Sequence, residues 1–454
     1  MKCTTEPTAT ADGLSDGLSD GLSDGLSERW AAFEQHLPAE WEALAYRQGA
    51  LVRRRGVRSV RALLQLILAY SVGDWSLRQV GLWASLSGVA TLSDVALLKR
   101  LRQSLPWLSA LVSALMQERI GGEALPGVRL CLMDATSLSC PGTRGTDWRL
   151  HVMLDVATLQ PHALTLTDVT GGEGFQRLAV TPDMLLIADR AYGYTTSVTE
   201  VLKQQAGLVV RMRWPDLARY QYQGQPFQVI EWLRSAFAHA PAQAQAIEVQ
   251  LSQAGQTYSL RLVACPLPLA QAQAARRRVR RKAQKNQVQP TQATLFAAGF
   301  VLLLTNLPSS HYSAAQVGAL YRLRWQVELY FKRLKSLMHL DQLRAHDPQL
   351  AQVYLLAKVL AALVLDRLSH LFLAQFPAGL SDPVRPFSRW RLTALLWSSL
   401  QGLFTLPWLS LCRLADPLSL RRYLWSPPRK RPQQDAYAQL LARSLSVVNV
   451  PFIP

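Results

Sequence analysis

Two short runs in this chain are too apolar for a strand with a wet face, and each stops at an aspartate. Val128-Arg129-Leu130-Cys131-Leu132-Met133 ends in Asp134, and Met184-Leu185-Leu186-Ile187-Ala188 ends in Asp189. Such runs suit strands buried on both faces. Between them, His151 to Asp155 and Ala163 to Asp168 read as two more strands, parted by Gln160-Pro161. Strands framed by helical patterns before and after predict a mixed α/β sheet.

The flanking patterns divide the chain. Residues 12–27 are four identical copies of Asp-Gly-Leu-Ser. A period of four matches no solenoid, and a glycine in every copy disfavours helix, so residues 1–28 read as a disordered acidic tail. From Trp30 to about Leu115 the pattern is helical, with a dense apolar stretch at Leu63, Leu64, Leu66, Ile67, Leu68 and Tyr70. Ser76-x-x-Gln79 is a capping-box pattern that starts a short helix. Gly88 then marks a turn, and Ser93 caps a helix carrying Lys99, Arg100 and Arg102. Helix, turn and basic helix outline a helix-turn-helix DNA-binding unit, although most short αα turns bind nothing; Arg53-Arg54-Arg55 adds charge just before it. Leu208 to Asn306 holds alternating, Gln-rich strand-like segments and a basic loop at Arg276, Arg277, Arg278, Arg280, Arg281 and Lys282. Val301 to Thr305 reads as a strand, followed by a long helix over 313–340 opened by the capping box Ser313-x-x-Gln316. Residues 350–454 are mostly helical, jointed at Pro383, Pro386, Pro427-Pro428 and Pro432.

Charge and cysteines narrow the class. The chain has 49 Lys+Arg against 31 Asp+Glu, and residues 1–28 contribute one of the bases and six of the acids, so the remainder holds 48 against 25. A folded chain with that excess is most simply explained by a polyanionic partner, nucleic acid before membrane surface. Five scattered cysteines with no C-x-x-C argue against a disulfide framework and against a zinc site. No run approaches 18 uninterrupted apolar residues, and the start lacks an apolar leader segment, so the expectation is a cytoplasmic protein with no membrane span.

The 313–340 segment can be placed on a helical wheel. At ~100° per residue, Tyr321, Arg324, Glu328 and Lys335 fall within roughly 60° of one another. Leu323, Val327, Tyr330, Phe331, Leu334, Leu337 and Met338 form the neighbouring apolar stripe. Alone, this is a solvated face with an ordinary Arg324–Glu328 pair. Together with two strand-terminal acids it is more. Asp134, Asp189 and Glu328 make a carboxylate triad of the kind that holds two divalent metals. Hard oxygen donors suit Mg²⁺, with Mn²⁺ able to substitute, and two such ions serve phosphodiester chemistry.

Asp134 in Leu-Met-Asp-Ala-Thr-Ser, Asp189 in Ile-Ala-Asp-Arg-Ala-Tyr-Gly, and Tyr321-x2-Arg324-x3-Glu328-x6-Lys335 resemble the DDE transposases of bacterial insertion sequences. Within them the match is to the cut-and-paste branch with the Y-R-E-K signature, the IS-four group. The spacing matches in full, and the resemblance runs from about residue 50 to at least 370. Ala191 stands where that pattern has glycine. The resemblance implies an RNase H-like catalytic core over 126–375 with a β-strand insertion at about 208–306. It also implies a helical DNA-binding domain over 29–125 and a helical C-terminal region over 376–454 that could dimerise. Asp134, Asp189 and Glu328 would be catalytic metal ligands, and Tyr321, Arg324 and Lys335 would contact phosphates of the transposon end. An aromatic residue of the insertion, Trp214 or Trp232, could receive a flipped base. The partners implied are double-stranded DNA, as terminal inverted repeats and target, and a second copy of the chain. Two other classes fit the same residues: a catalytically silent, transposase-derived repressor, and a Mg²⁺ nuclease without strand transfer.

Overall fold

The computed structural model describes residues 30–119, 128–140, 142–143, 145–374 and 388–404; the acidic repeat and all the proline joints named above lie outside them. Strand β1 (Arg129–Leu138) is longer than its apolar run. It passes Asp134 because β2 (Trp148–Asp155) stays paired with it as far as Leu138↔Trp148. The strand end expected at Asp134 is therefore corrected: what ends there is the parallel ladder to β4 (Met184–Ala188), whose last pair is Met133↔Ala188. The remaining strands are β3 (Pro161–Asp168), β5 (Gly207–Arg211), β6 (Gln221–Tyr222), β7 (Gln225–Pro226), β8 (Gln245–Gln253), β9 (Gln256–Pro266) and β10 (Phe300–Thr305). They form one mixed ten-stranded sheet in the order β3-β2-β1-β4-β5-β10-β9-β8-β6-β7. Its β1, β4 and β5 run parallel. The β8–β9 hairpin turns through Ala254 and Gly255, both at positive φ (51° and 76°), the pairing that matches strand twist in a two-residue hairpin.

Neighbouring residues on the central strands enter different cores, as the two-residue period requires. Leu132, Leu185, Ile187, Val209 and Leu303 pack on one face, and Cys131, Met133, Leu186, Val210 and Leu304 on the other. The first face carries most of the helices: α1 (Trp41–Arg47), α2 (Val60–Ser71), α3 (Leu77–Leu86), α4 (Asp94–Gln103) and α5 (Leu105–Arg119). The other face is covered in part by α6 (Thr195–Lys203) and α7 (Val229–Ala236). The capping boxes at Ser76/Gln79 and Ser313/Gln316 both form, Ser93 caps α4, and Gly88 turns at φ 69°.

Two sequence expectations change. The basic loop is a helix: α8 (Leu269–Lys285, 17 residues). Its first turns are Leu, Ala and Gln, arginine is itself a good helix former, and no Gly or Pro intervenes between Pro268 and Pro290. Ala272 and Ala283 are buried, and Arg276 Nε donates to Leu295 O at 3.2 Å, which fastens one stripe of α8 to α9 (Gln292–Ala297). The single 313–340 helix is two: α10 (Ala314–Arg322) and α11 (Trp325–Ser336). Between them the N–H groups of Leu323, Arg324, Gln326 and Val327 reach back three residues, at 2.9–3.2 Å. A 3₁₀ turn advances ~120° per residue, so the wheel drawn at constant pitch slips there.

The long helix α12 (Pro348–Ala374) organises the helical face. Pro348–Phe372 is long and apolar enough to cross a membrane, yet 83% of its most apolar window is buried inside the protein. It packs on α2, α4, α5 and α13 (Arg389–Gln401). Phe404 closes this assembly, edge-on to Trp30 and Trp75 and packed on Trp83 at 5.6–6.2 Å.

Candidate active site

Register brings the two aspartates together. Met133 pairs with Ala188 across parallel strands, so the next positions, Asp134 and Asp189, lie side by side where that ladder stops. Strand alternation aims Asp134 with Leu132, toward the face that carries α11. Each carboxylate is held by the backbone beyond it. Ala135 N–H donates to Asp134 Oδ1 at 2.8 Å, and Ala191 N–H to Asp189 Oδ1 at 2.7 Å. Ala191 has no positive φ, so its departure from the glycine of the pattern strains nothing. The Asp134 carboxyl is pushed up to about 7, mainly by burial; Asp189 and Glu173 reinforce the shift, while the Ala135 N–H and Arg324 oppose it. With its folded value above its unfolded one, this group favours the fold at low pH, and the benefit disappears as pH rises through about 7.

Helix α11 supplies the third acid and its neighbours. Arg324, in the 3₁₀ turn, sets Nη2 2.5 Å from Glu328 Oε1 and Nη1 3.6 Å from Asp134 Oδ2. One guanidinium thus joins the strand acid to the helix acid. The Tyr321 ring lies 5.8 Å from the centre of that guanidinium. Lys335, three turns further on, donates from Nζ to Ser137 O at 3.1 Å. Every member of the Y-R-E-K set therefore stands along the Asp134 side of β1. Among the described residues, no three His, Cys, Asp or Glu side chains gather tightly enough to hold a metal ion. The chemistry of the donors nevertheless fits one. Two aspartates follow paired positions of adjacent strands, one of them is buried enough to resist ionisation, and a cationic side chain sits between two of the acids.

Residues 126–365 match a family described as "Transposase DDE domain". The transposase of insertion sequence element IS421 from Escherichia coli is 41% identical over 350 residues, covering 75% of this chain and 93% of that protein. The InsL protein named for element IS186A in Escherichia coli (strain K12) is 41% identical over 349 residues with the same coverage. A shorter match, 32% over 117 residues, covers 25% of this chain and 24% of the transposase of element IS231F from Bacillus thuringiensis subsp. israelensis. The chain belongs to the DDE transposases. It is an enzyme that cleaves and transfers DNA strands, and proteins of this family generally depend on divalent metal.

The transposase carries more at this site than its sequence announced. A cavity of about 530 Å³ opens beside Asp189, walled by Arg190, Arg211, Arg213 and Trp214 on one side and by Arg278 and Lys282 of α8 on the other. Arg211 is there by register: Ala188 pairs with Val210, which sets Arg211 next to Asp189. The signal was a base ending the strand beside the one that ends in an acid. Glu173 is the other omission. It follows Gly171-Gly172, lies 3.8 Å from Arg149 of β2, and is half-buried; its carboxyl is raised by burial, with Arg149 opposing and Asp189 adding. An acid set among glycines after β3 was its only trace. Of the two candidate aromatics, Trp214 lines the cavity, whereas Trp232 packs against Phe227 at 5.9 Å in the core. The α8 bases divide too. Arg277, Arg278, Arg280, Arg281 and Lys282 are exposed, and Arg276 is held by Leu295.

The basic helix α4 is partly committed to the fold. Arg100 donates to Arg53 O and Arg55 O, and Arg102 forms a two-pronged pair with Asp347, at 2.6 and 3.1 Å.

If Asp134 is a metal ligand, proton and cation compete for its raised carboxyl, and Mn²⁺ binding followed by calorimetry should weaken by about tenfold for each pH unit below about 7.

Proposed function

We propose that this transposase performs cut-and-paste transposition with Asp134, Asp189 and Glu328 as ligands for two divalent ions, Mg²⁺ with Mn²⁺ able to substitute. The observation that carries the assignment is the register Met133↔Ala188, which sets two aspartates side by side where the parallel β1–β4 ladder stops, with Glu328 joined to one of them through Arg324. When bound, the ions activate the attacking oxygen and stabilise the leaving one. Asp134 and Asp189 orient that centre from the rigid sheet, and Glu328 closes it from α11. The strand order β3-β2-β1-β4-β5, with β1, β4 and β5 parallel, supports an RNase H-like core, and the insertion over about 208–306 supplies β6 to β9.

Lys335, Arg324, Tyr321 and the exposed bases of α8 hold the backbone of the transposon end. The region over 29–125 contributes further contacts, and two copies of the chain, paired through the C-terminal region, cut both ends in the cytoplasm. A joining assay tests the whole reading. The full chain is incubated with Mg²⁺, a plasmid target and a duplex carrying the inverted repeat read from the DNA flanking its gene. Nicks, breaks and joined products are then scored separately. Binding without cuts is the repressor outcome, and cuts without joins is the nuclease outcome; both contradict transposition.

Salt separates clamps from struts. Each phosphate contact displaces counterions, so log K falls with log salt by about 0.9 per contact. Lys335→Ala, Arg278→Ala and Lys282→Ala should each flatten the slope by about 1 in binding isotherms without metal. Arg276→Ala should leave the slope intact, because its guanidinium is engaged by Leu295 O. An unchanged slope for the first three removes their clamp role.

A further inference from the structure

Arg324 stands where a cation belongs. Its two Nη atoms reach Asp134 Oδ2 (3.6 Å) and Glu328 Oε1 (2.5 Å), so one guanidinium neutralises two of the acids assigned above to the metal. It is not a freely mobile surface group: its side chain is 18% exposed and that of Asp134 17%. The Tyr321 ring flanks it, and the 3₁₀ turn at Leu323–Arg324 sets its backbone one turn ahead of Glu328. A divalent ion entering between Asp134 and Glu328 would meet this like charge at close range, where repulsion in a half-buried site is strong. The acids can gather round an ion only once the guanidinium has moved.

The structure also indicates what would move it. Arg324 Nε has no acceptor among the described residues. A guanidinium grips phosphate through a planar fork of two parallel donors, and carboxylates on two separate elements do not fill that fork. The cavity bases Arg190, Arg211 and Arg213 lie near Asp189, where they would draw a polyanion toward the same cleft.

We propose that Arg324 is an interlock between DNA and metal. Without DNA it bridges Asp134 and Glu328 and keeps divalent ions out. A phosphate of the transposon end draws it away, and the acids then take the ions. The consequence is specificity, because a transposase with a permanently loaded site could nick any DNA that it touched. The inference rests on the metal-ligand reading and goes beyond Arg324 as a phosphate contact.

The test is titration of the full chain with Mn²⁺ alone, in the absence of DNA, by calorimetry and by thermal midpoint. Arg324→Gln, and Arg324→Met as a second variant that keeps the stem, should bind Mn²⁺ on the order of tenfold more tightly than wild type, within the range usual for coupled sites. Their midpoints should also rise more with Mn²⁺. Adding Asp134→Asn to either variant should erase the gain, which locates the ion. A terminal-repeat duplex that is already cut should raise wild-type Mn²⁺ affinity by a similar factor, and Mn²⁺ should tighten DNA binding reciprocally. Equal Mn²⁺ affinities of wild type and both variants would overturn the interlock. So would a gain that survives Asp134→Asn, or a duplex without effect on the wild type. A gain as expected in a protein that joins no DNA would leave the interlock standing and refute the transposition reading, so the two failures are distinguishable.

Discussion

Asp134→Asn, Asp189→Asn and Glu328→Gln should each lower cleavage of a terminal-repeat duplex by roughly 10³-fold or more while DNA binding persists. A divalent ion is worth several kcal/mol of transition-state stabilisation, and about 1.4 kcal/mol is a factor of ten. An amide keeps the shape of the side chain and withdraws the charge that the ion needs. The three substitutions should differ in the absence of metal. Asp134→Asn removes the ionisation of a buried carboxyl that burial has already pushed up to about 7, so the fold should tolerate it well. Glu328→Gln instead releases half of Arg324, whose other contact is to Asp134 at 3.6 Å. The measurement is a single-turnover cleavage time course at saturating Mg²⁺, paired with a binding isotherm. Cleavage in EDTA, or near-wild-type cleavage by Glu328→Gln, would refute metal chemistry at these acids.

The strands that position the site were legible for a physical reason. A strand buried on both faces must be apolar throughout, so Met184 to Ala188 and the first half of β1 announced themselves, as did the acids that follow them. Capping boxes are equally local, and both formed. What could not be read depends on partners far apart in the chain. The continuation of β1 past Asp134 is decided by β2, and the neighbourhood of Arg211 and Asp189 by the β4–β5 register. Basic composition suggested a loop at 276–282, although arginine is compatible with helix and its neighbours favour it. The placement of Arg324 between Asp134 and Glu328 was the least accessible. Spacing put Arg324 beside Glu328, but the tie to Asp134 joins α11 to a strand nearly two hundred residues earlier.

The same limit hid a buried network whose disruption should rank among the most destabilising single changes in the protein. Lys358 of α12 is fully buried, and its Nζ donates to Asp74 Oδ1 and His339 O, each at 3.0 Å. The Tyr354 hydroxyl donates to the same Asp74 oxygen, and its ring lies 4.4 Å from the ammonium. Asp74 sits between α2 and α3 at φ 53°, and His339 follows α11 at φ 50°, so the network ties the N-terminal helices to the chain just beyond α11. Burial pushes the Lys358 ammonium down to about 8, with Asp74 opposing. Asp74→Asn tolerates the left-handed backbone as well as aspartate does, yet leaves the charge without its counterion, which should cost about 3–5 kcal/mol near neutrality. Lys358→Met should cost far less, because Asp74 retains Tyr354 and some solvent. The sign with pH follows from the depressed value. The folded state sheds the Lys358 proton before the unfolded chain does, so stability from this group rises as pH climbs from about 8 toward the ordinary lysine range. In Asp74→Asn the folded value falls further, so the deficit against wild type should narrow between about pH 7 and 9, as urea midpoints would show. A constant deficit across that range, or equal losses from Asp74→Asn and Lys358→Met, would mean that Asp74 supports the turn through its backbone and not through the buried charge.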